Sequence, residues 1–91
     1  MNTEEIKFRI AGASSLEPLK VPTFLVLDAV QHAPPHVQLQ GIALALAGLC
    51  RPLEIDPHDL VSRANRQLNE AAATRQPIFE ALSDYAVGEL K

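Results

Sequence analysis

The sequence predicts an all-α domain, four helices in a bundle-like arrangement, preceded by an extended or single-strand N-terminal arm. Three observations carry this. From Val21 to Cys50 the only formal charge is Asp28, and from Gly41 to Leu49 no side chain is polar; a helix there is apolar on nearly every side and has to be covered. Asp56-Pro57, with Asp59 just after, is a strong helix start. The apolar fraction is 47%, yet the aromatic residues are only Phe8, Phe24, Phe79 and Tyr85. The core must therefore be Leu, Ile, Val and Ala, the usual filling between packed helices.

Residues 4–10, EEIKFRI, alternate. In an extended chain Ile6, Phe8 and Ile10 point one way and Glu5, Lys7 and Arg9 the other, the pattern of a half-buried strand. No second strand is evident, and one strand is not stable alone. Such an arm pairs with its twin in a dimer, lies across a helix, or frays. Residues 11–22 hold Gly12, Ser14, Ser15, Pro18 and Pro22 and read as an extended linker, since a residue before proline is biased away from helix. Leu16, Leu19 and Val21 are its candidate anchors. The expected division is an arm and linker over 1–22 and a helical core over 23–91, within one domain.

The first predicted helix is 23–33, capped by Thr23, with Phe24, Val26, Leu27 and Val30 inward and Asp28 and Gln31 outward. A strand over 23–27 is the rival reading, because TFLVL is rich in strand formers. Pro34-Pro35 ends either element. The central helix is expected over 35–50, with Pro35 at its first position and Pro52 stopping it. Gly41, Ala45 and Gly48 recur along it at spacings that let another backbone approach closely. Each glycine costs about 1 kcal/mol against alanine, so close approach is the plausible offset.

A third helix over 57–73 has Asp56 as N-cap and Leu60, Val61, Ala64, Leu68 and Ala71 as its inner face. His58, Arg63, Arg66, Gln67, Asn69 and Glu70 are expected elsewhere, with Arg66 and Glu70 spaced to pair. Pro77 opens a fourth helix, 77–87, whose apolar face is Ile78, Phe79, Leu82 and Ala86, with Leu90 a turn further on.

Composition narrows function by exclusion. The formal charge is −3 and no segment forms a basic tail, so the totals do not predict strong attraction to nucleic acid or anionic lipid. A single cysteine, Cys50, cannot form an internal disulfide and reads as a small buried hydrophobe in a reducing compartment. The start MNTEEIKFRI has no apolar run of a signal peptide. Pro35–Cys50 would be about 24 Å long as a helix, short of the roughly 30 Å of a hydrocarbon core. A cytoplasmic protein without a membrane span is expected.

No constellation carries chemistry. His32 and His36 are separated by Pro34-Pro35, and Cys50 and His58 by a proline loop; neither spacing suits zinc, and no cofactor is expected. His58 and Ser62 share a helical face, but Asp59 points about 100° away and cannot orient His58. Helix capping accounts for Asp56 and Asp59, so no enzyme is expected.

Nucleic acid is the alternative partner. Arg63, Arg66 and Gln67 on the third helix, with Asn65 beside them, can reach bases or phosphates, and Lys7 and Arg9 would face outward from a paired strand. Against it, the connector Arg51–Asp56 exceeds the usual 3–4 residues of a helix-turn-helix. Asp56 and Asp59 also put negative charge where a recognition helix meets DNA.

The run CRPLEIDPHDLVSRA, Cys50 to Ala64, resembles small all-helical proteins carried by phages and prophages. The likeness covers about residues 36–70 and rests on the capped helix start and the leucine pattern. It implies a host-associated accessory protein and transfers no functional residue.

The remaining expectation is self-association. Each buried leucine is worth roughly 1.5–3 kcal/mol, and residues 37–50 carry more of them than three short amphipathic helices can cover. A homodimer that binds another macromolecule follows, with Ile6, Phe8, Ile10, Gly41, Ala45 and Gly48 as interface candidates.

Overall fold

The computed structural model describes residues 2–12 and 15–91. Every regular element among them is helical: α1 (Thr3–Gly12), a 3₁₀ turn (Glu17–Leu19), α2 (Lys20–Val30), α3 (Pro35–Leu53), α4 (Pro57–Ala73) and α5 (Pro77–Tyr85), which widens into a π-helical turn over Ala86–Leu90. The all-α expectation holds. The strand does not, and there are five α-helices among the described residues where four were expected.

Residues 4–10 belong to α1 because local polar pairing favours a helix while the strand had nothing to pair with. Asn2 is the N-cap: its Oδ1 accepts from the Glu5 backbone N–H at 2.8 Å, and its carbonyl accepts the first helical bond from Ile6. Glu5–Arg9 at 3.3 Å and Glu4–Lys7 at 3.8 Å then pair along the helix. Asn2 three residues ahead of Glu5 is a capping-box spacing, a sequence signal that the alternation of Ile6, Phe8 and Ile10 masks.

The extended linker is also corrected. Helix α1 reaches Gly12, the 3₁₀ turn occupies 17–19, and α2 starts at Lys20; Ala13 and Ser14, within the expected linker, lie outside the described residues. Pro22 sits inside the first turn of α2, where its missing N–H would have had no helical partner. Thr23 is therefore not a cap; its hydroxyl donates to the Leu19 carbonyl at 2.7 Å, one turn back. Residues 23–27 are helical, which removes the rival strand. Of the candidate anchors, Leu16 is half-buried while Leu19 and Val21 are exposed.

Pro52 does not stop α3, which runs on to Leu53. It ends at Glu54, in the left-handed region at φ 54°, where Ile55 N–H donates to Cys50 O and Glu54 N–H to Arg51 O, both at 3.1 Å. This is a Schellman end. Helix α4 closes the same way on Arg75, at φ 57°, with Gln76 N–H on Ala71 O at 2.8 Å. Its start is as expected: Asp56 Oδ1 accepts from His58 N–H at 2.9 Å.

Helices adjacent in sequence pack together: α2 on α3, α3 on α4 and α4 on α5. The interior is thin. Among the described residues only Gln38, Cys50, Ala71 and Ile78 are buried. The inner face of α4 is rotated from expectation: Val61 and Ala64 are exposed, while Arg63 and Gln67 are half-buried. On α5, Ile78, Phe79 and Leu82 are inside as expected, but Ala86 is exposed. The Arg66–Glu70 pair is not made; the ion pairs of the described residues are Lys7–Glu4, Arg9–Glu5 and Lys20–Glu17.

Candidate interaction surfaces

One polar side chain ties the core together. Gln38 is 4% exposed. Its Nε2 donates to Ala33 O at 2.8 Å and to Gln31 O at 3.4 Å, and its Oε1 accepts from the Tyr85 hydroxyl at 2.7 Å. The end of α2 faces Pro34-Pro35, two residues without an N–H, so carbonyls there need a side-chain donor. Gln38 supplies it and in turn positions Tyr85, which links α3 to the final helix. The double proline was legible in sequence as a helix stop; the donor it demands was the missed signal.

The first surface is a groove of about 580 Å³ where α1 passes the α3–α4 turn and the outer face of α4. Lys7, Arg63 and Arg66 line it together with Glu54, Asp56 and Asp59, over a floor that includes Ile55 and Leu60. Three of the predicted nucleic-acid residues therefore converge. The other two do not: Arg9 is paired with Glu5 on an exposed part of α1, and Gln67 lines a separate small groove beside Glu70 and Gln76. The turn between α3 and α4 is Glu54–Asp56, three residues, because α3 outruns Pro52. The connector is thus short enough for a helix-turn-helix, contrary to the sequence expectation. Three carboxylates facing three cations nevertheless leave the groove without net charge.

The catalytic and metal candidates stay scattered. His58 is exposed outside the groove that Asp59 and Ser62 line. His32 and His36 are exposed, Cys50 is a buried free thiol, and Asp28 lies on the exposed side of α2. No cluster of three His, Cys, Asp or Glu side chains suited to a metal occurs among the described residues.

The second surface is apolar. Helix α3 meets the rest of the chain through one narrow ridge, Gln38, Ile42, Leu46, Cys50 and Leu53, all buried or half-buried. Val37, Leu39, Leu44 and Leu49 are exposed, Leu44 to 76%. Gly41, Ala45 and Gly48 are exposed as well, and a methyl group at either glycine would meet nothing within 4 Å. Helix α2 adds Val21, Leu25 and Val26 to the exposed apolar side chains. The arm candidates do not form one face: Ile6 and Ile10 are half-buried one turn apart, and Phe8 points away, 80% exposed. No helix among the described residues is long and apolar enough to cross a membrane.

Compared with known proteins, the chain matches no family model, no curated protein and no solved structure.

Proposed function

We propose that this chain is a non-catalytic interaction module that works in the cytoplasm as a homodimer and binds another macromolecule. The observation that carries the reading is surface area. The chain exposes 6,924 Å², whereas a compact monomer of its 9.9 kDa exposes about 5,200 Å². The excess, about 1,700 Å² per chain, falls within what one subunit buries in an obligate homodimer, roughly 1,000–2,500 Å². Most of the exposed large apolar side chains, Val21, Leu25, Val26, Val37, Leu39, Leu44 and Leu49, lie on α2 and α3. The α1–α4 groove is the polar surface left for the further partner. The likeness of residues 36–70 to phage and prophage accessory proteins fits a small module of this kind. Multi-angle light scattering at tens of micromolar tests the assembly: about twice 9.9 kDa supports it, and a monodisperse monomer overturns it.

A DNA-binding regulator is the second reading, favoured by the convergence of Lys7, Arg63 and Arg66 beside a three-residue turn. It ranks lower because Glu54, Asp56 and Asp59 line the same groove and would meet phosphate unfavourably. A salt-sensitive shift with duplex DNA that disappears in Arg63→Ala/Arg66→Ala would promote it. No shift at low salt would end it.

A further inference from the structure

We infer that a second copy of the chain covers α3 by crossing it on a two-fold axis at Leu44, so that Leu44 of each subunit meets Leu44 of the other. The inference rests on the assembly reading above and assigns it a place. The inward ridge of α3 runs through Ile42 and Leu46. At about 100° per residue the opposite side carries Val37, Gly41, Leu44 and Gly48, all exposed. Leu44 is the most exposed leucine recorded in the chain. The positions one turn to either side of it are glycines with open space above them, so a crossing helix can come close at that point.

Charge and area together point to a second copy as the occupant. No ionisable side chain other than the buried Cys50 lies between His36 and Arg51, so the face offers nothing for a partner of opposite charge to read. An uncharged face is compatible with its own copy, and homodimer interfaces are the more apolar class. In a two-fold contact the same patch serves on both sides, so one surface of this kind suffices. The excess area is of the size that an obligate homodimer interface removes from each subunit. An interfacial membrane helix would carry a strongly basic polar face; α3 has Arg51 alone in its last turn and no acid in its first.

The test uses charge at the axis. Leu44→Glu and Leu44→Lys are each expected to raise the dimer dissociation constant by roughly 30-fold or more, the scale of losing a central contact. Mixing the two is expected to restore a dimer, which only a 44-to-44 contact produces. Circular dichroism confirms that each variant is folded. Should either fail to fold, Leu44→Cys replaces them. Oxidation is expected to give a covalent dimer through residue 44 rather than Cys50, which is 3% exposed. If the native chain is a dimer while both charged variants stay dimeric and Leu44→Cys does not cross-link, the crossing is wrong and the assembly reading survives. If the native chain is a monomer, both fall. A monomer that floats with phosphatidylcholine–phosphatidylglycerol vesicles would overturn the inference in favour of a lipid surface.

Discussion

Gln38 shows how much one residue can decide in a core of this size. Its amide answers two carbonyls and one hydroxyl at once. Gln38→Leu leaves all three without a partner and is expected to cost about 2–4 kcal/mol in urea unfolding. Tyr85→Phe removes only the 2.7 Å bond and is expected to cost about 1 kcal/mol. A larger loss for Tyr85→Phe than for Gln38→Leu would contradict this ordering. Two other residues carry strain: Glu54 and Arg75 hold left-handed backbone at helix ends, where glycine is the ordinary occupant. Glu54→Gly and Arg75→Gly are each expected to raise stability by about 1 kcal/mol. The Schellman bonds keep the non-glycine residues there, with Cys50 and Ala71, both buried, at the accepting carbonyls.

Among the elements, α1 and α3 depart most from what their sequences suggest. The alternation of Ile6, Phe8 and Ile10 belongs to a strand, yet capping by Asn2 and two ion pairs make a helix. The consequence is exposure of Phe8, whose side lies opposite Ile6 and Ile10. Helix α3 carries two glycines that none of the described residues requires. In a monomeric Leu44→Glu background, Gly41→Ala and Gly48→Ala are each expected to raise thermal stability, by about 1 kcal/mol from helix propensity alone. In the native background the proposed crossing predicts the opposite: the added methyls would fill the space a second α3 needs and weaken the dimer. The sign change between backgrounds, read by calorimetry and light scattering, is the diagnostic. Stabilisation in both would leave the glycines unexplained by assembly.

At the scale of the whole molecule the chain is looser than its length warrants. Its radius of gyration is 14.0 Å, against about 12 Å for a compact domain of 91 residues. If the chain assembles as proposed, its Tm is expected to rise with protein concentration across the micromolar range. A Tm independent of concentration, in a chain that scatters as a monomer, would mean that the exposed leucines are tolerated in water.

How much of this was legible follows from the range of each interaction. The bounds of α4 and its Asp56 cap were readable, since the cap, the proline and the first-turn acid all act within one turn, whereas the face it buries was not. The apolar run of α3 was readable for the same reason, as was the start of α5 at Pro77. The bounds of α1 and α2 were obscured by a misleading alternation and by a proline that the first turn of a helix accepts. The convergence of Lys7 with Arg63 and Arg66 needed the turn at Glu54 to swing α4 beside α1. The role of Gln38 needed Tyr85, 47 positions away, to arrive at its amide. Local sequence thus determined which segments coil and which of them are too apolar for water. Only the tertiary structure decided which faces meet, because a helix of leucine and alanine offers several equivalent sides, and distant polar partners select among them.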